Sequence, residues 1–337
     1  MKNSCYLLIL LAFSQFTSCK GSTSDTVVAN NAAQIVTDTI TNEATDEVDN
    51  VDRIKYKDLM IYPLHSYDKI ANQSSGFVPL TDSFSFSEHK DSIVISAEYL
   101  GKNEFEQFHT LNEKYRTRFL KLMKIKETDN VFIYNYRLDS IYTFQVKELP
   151  LLAHISLYGT DDSVMPYDYL IGFDLQNFLP INDLGIYYDA FVYVGRENPF
   201  NTGKIKPILW KKMAANQLPK EIKSKAISST KINKLYKFQI NNVDYFLLND
   251  THLVIVESAT KKIILEEIFV EGESESPAPL SFEGIENENL PQQWTGNLFK
   301  NKPDVFFGFQ YHSFGCEGIN FIENPGNSIY IYCDNRH

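Results

Sequence analysis

The chain is poor in the residues that carry most recognisable chemistry: four cysteines, two tryptophans and seven histidines in 337 residues. His65, His89, His109, His154 and His252 are scattered, with no His-Glu-x-x-His pattern, and no Gly-x-Ser-x-Gly elbow or glycine-rich phosphate loop occurs. Those absences exclude the usual zinc-protease, α/β-hydrolase and nucleotide-binding signatures. Two tryptophans also offer little to a reading built on aromatic sugar platforms. Basic residues are outnumbered, 32 Lys and Arg against 43 Asp and Glu, and the net charge of −11 argues against nucleic acid as a partner. What is abundant is aromatic: 24 Phe and 20 Tyr, with apolar residues at 43%, enough for a substantial core.

At the amino terminus, Lys2 precedes the apolar run Tyr6-Leu7-Leu8-Ile9-Leu10-Leu11-Ala12-Phe13, and Phe16-Thr17-Ser18 leads into Cys19. The run is far shorter than the about 20 residues that span a bilayer and has the layout of an export signal. The segment resembles the signal peptide and lipobox of bacterial lipoproteins of the Bacteroidota type, with Phe16 where Leu is usual. The resemblance stops at Cys19, and no family is recognised for the folded domain. It implies removal of residues 1–18, acylation of Cys19, and residence in the cell envelope on a membrane, the outer membrane facing periplasm or surface. Acyl chains contribute about 0.8 kcal/mol per buried CH₂, so several together hold a domain on the membrane.

Residues 19–52 read as an acidic, disordered tether. Seven acidic residues face Lys20 alone, and aromatics are absent. Random-coil scaling gives such a segment a reach of roughly 30 Å. The globular domain then spans 53–337, with a possible subdivision near 200.

With Cys5 lost in the leader and Cys19 acylated, Cys316 and Cys333 remain as a pair in an oxidising compartment, which predicts a disulfide. Two strand-like runs, 318–323 and 328–333, flank Asn324-Pro325-Gly326-Asn327, and counting outward from that turn sets Cys333 opposite Gly318 and diagonal to Cys316. A second reading uses His312 and His337, each four residues from a cysteine, to complete a tetrahedral zinc set. No other metal site and no cofactor is expected.

The fold class expected is mainly β, a β-rich α+β arrangement of antiparallel sheets with meander hairpins and one docked long helix. Runs rich in β-branched and aromatic residues occur at 92–100, 131–138, 141–148 and 153–158. Four more, at 234–240, 243–249, 252–258 and 262–270, are joined by short polar links and predict a meander, with Asn241-Asn242 as a type I′ turn. Phe105, Phe108, Leu111, Tyr115, Phe119 and Leu122 recur at helical spacing, and Asn103 with Glu106 forms a capping-box pattern, so a helix is expected there with His109 on its surface. A weaker helical stretch covers 208–226, broken near Leu218-Pro219.

Charge is segregated. Nine lysines stand against Glu221 alone between 204 and 234, and eight glutamates stand unopposed between 266 and 288. Lys204, Lys206, Lys211, Lys212, Lys220, Lys223 and Lys225 are therefore the candidate partner patch, either steering an oppositely charged partner or simply facing the acidic block or solvent. The acidic stretch 272–291 reads as an exposed or disordered loop. Five Asp-Ser/Thr-aliphatic triplets, Asp139-Ser140-Ile141 among them, resemble O-glycosylation acceptors of exported Bacteroidota proteins. Together these features point to a non-enzymatic envelope lipoprotein that binds a protein or glycan, in the manner of an immunity lipoprotein. The alternatives are a polysaccharide hydrolase built on two dispersed carboxylates, or a structural part of an envelope assembly.

Overall fold

Along most strands, successive residues point into two different cores rather than alternately into a core and into water, and this sets the architecture. The computed structural model describes residues 59–70, 73–82, 108–155, 169–175, 189–284, 291–313, 315–323 and 328–333. All belong to the second of the chain's two units, Ala33–His337; the first, Met1–Ala32, lies outside the described residues, as do Cys19 and the 92–100 run.

Strands β1 (Ile61–Tyr62), β2 (His65–Ile70), β3 (Gln73–Asp82) and β4 (Phe108–Thr110) precede helix α1 (Glu113–Met123). Then follow β5 (Asn130–Asn135), β6 (Ser140–Gln145), β7 (Leu151–Ile155), β8 (Tyr169–Asp174) and β9 (Ala190–Gly195). After β10 (Ile205–Pro207), β11 (Lys211–Met213) and the short helix α2 (Lys225–Ser229) come β12 (Leu235–Ile240), β13 (Val243–Leu248), β14 (His252–Glu257) and β15 (Ile263–Ile268). The remainder is β16 (Glu275–Pro277), β17 (Trp294–Gly296), β18 (Val305–Phe307), β19 (Gln310–His312), β20 (Gly318–Phe321) and β21 (Ser328–Tyr330).

Among the described residues four sheets and a ribbon form, and their strands pair antiparallel throughout. Sheet I has the order β2-β3-β8-β7-β4, sheet II β1-β9-β5-β6, sheet III β10-β17-β18-β20-β21 and sheet IV β11-β12-β13-β14-β15; β16 pairs with β19. Val78, Ile171 and Phe173 of sheet I share a core with Val131, Ile133 and Val192 of sheet II and with Phe119 of α1. The intervening residues Phe132, Tyr134 and Phe191 of sheet II turn the other way, against Trp294, Val305, Phe307, Ile319 and Phe321 of sheet III. Phe306 points from sheet III into a third core with Tyr245, Leu247, Leu253 and Ile255 of sheet IV. Phe246, Leu248, Val254 and Val256, on the far face of sheet IV, are covered by Ile222 and Ile227. Sheets II, III and IV are thus buried on both faces, which antiparallel sheets often are not. Residues from either side of position 200 share the second core, Phe132 and Phe191 with Ile205 and Trp294.

The meander forms as expected: β12 to β15 are consecutive neighbours with Ile240 opposite Val243. Asn241 takes φ 51 but Asn242 does not enter the left-handed region, so the link is not the type I′ turn expected. Helix α1 starts later than its apolar stripe predicted. Phe108–Thr110 is instead strand β4, paired with β7, and His109 is buried with its ring 3.3 Å from the Tyr169 hydroxyl. Asn112 caps the helix by accepting from the Tyr115 amide, and sheet pairing overrides the local stripe before it. The 208–226 stretch is mostly not helical: it gives β11 and a short 3₁₀ turn before α2, which begins only at Lys225.

One buried charge secures sheet IV. Asp244 is fully buried, and its carboxylate takes Lys261 Nζ at 2.6 Å and Lys237 Nζ at 3.2 Å. Burial alone would raise this carboxyl; hydrogen bonds from Lys261, Lys237 and Ser258 outweigh it and hold the group below its ordinary value. A group depressed in the folded state stabilises above its unfolded pKa, about 3.9, and that stabilisation fades as pH falls below it. Asp244→Asn therefore costs about 1.5–3 kcal/mol in urea denaturation at pH 7, and the gap from the parent narrows between about pH 5 and pH 2.

Candidate functional site

The lysine-rich segment lies along two sheet edges and the cover of a third surface. Strand β10 is an edge of sheet III and β11 an edge of sheet IV. Only residues 208–210 separate them, and Ile208 and Trp210 are both buried in the core between the two sheets. Trp210 is pinned there, its Nε1 donating to Gln293 at 2.5 Å and its amide to the Ser281 carbonyl. Gly296 lets β10 close onto β17: it sits opposite Ile205 at φ 134, and a Cβ would lie 2.0 Å from the Lys204 carbonyl oxygen. Because Ile205 points inward, the two-residue period turns Lys204 and Lys206 out to solvent.

On β11, Lys211 pairs with Glu283 at 2.6 Å and Lys212 lies 5.0 Å above the Phe282 ring, all well exposed at the charged ends. Lys220, Lys223 and Lys225 are exposed on the segment that covers the far face of sheet IV. The structure therefore gathers Lys204, Lys206, Lys211 and Lys212 on neighbouring edges and sets Lys220, Lys223 and Lys225 apart from them. Among the described residues, Lys211–Glu283 is the only ion pair joining the basic block to the acidic one. Glu266 accepts from Ser224 and lies 2.8 Å from His252, while Glu275 pairs with His312 at 3.4 Å. Part of the acidic stretch is ordered: Glu275–Pro277 pairs with β19, contrary to the loop expected there.

Cys316 and Cys333 are bonded to each other, S–S 1.92 Å and Cα–Cα 5.4 Å, so their sulfurs are not zinc ligands; His337 lies outside the described residues. The hairpin register differs from the expected one, with Gly318 opposite Tyr330 rather than Cys333. Cys333 instead follows a crossover. Ile331 bridges in parallel to Ile61 of sheet II, and the Tyr332 amide donates to the Ile61 carbonyl at 2.7 Å. The disulfide thus fastens a terminal strap that ties sheet III to sheet II.

A second polar constellation, invisible in the sequence, lies at the rim of the core between these sheets. Tyr136 meets Phe191, Trp294 and Phe307 at centroid distances of 5.0, 5.1 and 5.1 Å. Its hydroxyl donates to Asp189, which Arg137 grips through Nε at 2.5 Å and a terminal nitrogen at 2.9 Å. Arg137 also lies 5.7 Å from the Trp294 ring. Asp189, Asp174 of sheet I and Asp244 of sheet IV are the buried carboxylates among the described residues. Asp174 accepts from Tyr67 at 2.9 Å and Ser75 at 3.3 Å. Each has its own donors in a different sheet. The Ser140 hydroxyl, one of the triplet acceptors, is shielded from solvent.

No family model, curated protein or solved structure matches the chain. Among the described residues, no helix is long and apolar enough to cross a membrane, and no group of three or more His, Cys, Asp or Glu could hold a metal ion.

Closing a loop of this separation with a disulfide is worth about 3 kcal/mol in the chain-entropy model. A Cys316→Ala/Cys333→Ala double variant should lose about that much in urea denaturation, and a thiol assay on denatured parent protein lacking the leader and Cys19 should find no free cysteine.

Proposed function

We propose that the protein is a non-enzymatic binding module of the cell envelope, acylated at Cys19 and carried on the tether 19–52, which captures an acidic protein or glycan. The observation that carries this reading is the basic flank formed by β10 and β11. Lys204 and Lys206, with Lys220, Lys223 and Lys225 on the cover of sheet IV, are exposed and have no acidic partner among the described residues. Lysines on edge strands discourage pairing with a foreign strand. A partner is therefore met through side-chain charge rather than strand addition, and its capture is fast and salt-sensitive.

The quadruple variant Lys204→Gln/Lys206→Gln/Lys211→Gln/Lys212→Gln tests this in pull-downs from envelope extract across a salt series. Capture should fall at least tenfold at low salt and lose most of its salt dependence, while the urea midpoint stays put, since these side chains are exposed. Undiminished capture would remove the basic flank from the account.

A further inference from the structure

Sheet IV ends on two unlike edges. Strand β11 presents Lys211 and Lys212, whereas β15, Ile263–Ile268, has the sequence IILEEI, with no lysine, arginine or proline. Lysine, proline and very short length are the devices that keep an edge from pairing with a foreign strand, and six-residue β15 has none of them. A register shift at Ile255/Val256 disturbs its start, but Leu265 to Ile268 face Ile255 to His252 in regular order.

This edge is open. Among the described residues β14 is the only strand paired with β15. The Phe269 amide donates to the Thr251 carbonyl at 2.8 Å, and bonding to one neighbour alternates along an antiparallel strand. Leu265 and Glu267 therefore turn their backbone groups to β14, while Glu266 and Ile268 turn theirs outward, where no hydrogen bond meets them among the described residues. Apolar surface lies at the same place: Ile268 is 58% exposed, and Val270, just beyond the strand, 63%.

The side chains along the edge are acidic. Glu267 is partly buried and has neither a hydrogen bond nor an ion pair to its carboxylate among the described residues, and burial raises that carboxyl above its ordinary value. Glu266 engages Ser224 and His252 through Oε1 alone. A cation set opposite Glu267 would offset the cost of its burial, while main-chain pairing supplies affinity.

We propose that the β15 edge takes up an extended segment of a partner protein as a sixth strand of sheet IV, with adjacent basic residues opposite Glu266 and Glu267 and an aliphatic residue beside Ile268. The edge shares no residue with the basic flank of β10 and β11, so the two readings stand or fall separately.

The test uses the soluble protein without its leader and Cys19, ¹⁵N-labelled and titrated with the capped peptide Val-Lys-Lys-Val-Lys-Lys-Val, whose palindromic order serves either strand direction. Binding should saturate, and exchange of the Glu266 and Ile268 amides should slow by about tenfold or more, while the Glu267 amide, already in the ladder, changes little. An analogue N-methylated at every lysine keeps the charges but cannot pair, and should not bind. Glu267→Gln should weaken binding by about fivefold or more without lowering the urea midpoint, and the four-lysine variant should bind as the parent does. The proposal is overturned by absence of saturable binding, by equal binding of the N-methylated analogue or of Val-Glu-Glu-Val-Glu-Glu-Val, or by unchanged affinity in Glu267→Gln. It is overturned equally if the Glu266 and Ile268 amides become protected without peptide as protein concentration rises, which would make a second copy the occupant.

Discussion

Burial of both faces of sheets II, III and IV is the constraint on which everything else rests. Each of these sheets exposes so much apolar surface that none is stable without a neighbour on either side, and each neighbour in turn needs the next. Val131 and Ile133 serve one core while Phe132 and Tyr134 serve another, so a shift of one residue in β5 would exchange the contents of two cores at once. Register is therefore specified from both sides. The cost of such a design is that sheet faces are unavailable for recognition, and polar chemistry must lie at edges, rims and covers.

That is where the distinctive charges are found. Lys204, Lys206, Lys211 and Lys212 occupy the β10 and β11 edges, and Glu266 and Glu267 lie on β15 at the opposite edge of sheet IV. Most buried polar groups, by contrast, are tied off; the Ser140 hydroxyl and His154 Nε2 are exceptions among the described residues. Thr295, fully buried between sheets III and IV, meets the Tyr245 hydroxyl at 2.8 Å and donates to the Val305 carbonyl at 2.7 Å. The terminal strap completes the picture by joining β1 of sheet II to the end of sheet III, with Tyr332 against Tyr62.

Local signals in the sequence reported what local forces decide. The β12 to β15 meander, the β5–β6 hairpin and the role of the aromatics as core were all legible, because β-branched runs and short polar links fix them over a few residues. The start of α1 was not: the apolar stripe continues through Phe108, but pairing of Phe108–Thr110 with β7, more than forty residues onward, converts that turn of the pattern into strand. The β20–β21 register failed for a related reason, since Ile331 and Tyr332 leave the hairpin for sheet II, a contact with no trace near Cys333. The cluster of Tyr136, Arg137, Asp189 and Trp294 draws on three separated segments and carries no motif. The continuous apolar runs at 131–134, 245–248 and 253–256, in place of alternation, are the sequence trace of sheets covered twice.

Thiol accessibility at consecutive positions of one strand tests that double coverage most directly. With the leader and Cys19 absent and the native pair closed as Cys316–Cys333, single cysteines at Leu253, Val254, Ile255 and Val256 provide unique free thiols on β14. All four should resist labelling by a small thiol reagent in native buffer and react fully in denaturant. Labelling of every second position would show a sheet with one wet face and would contradict the account.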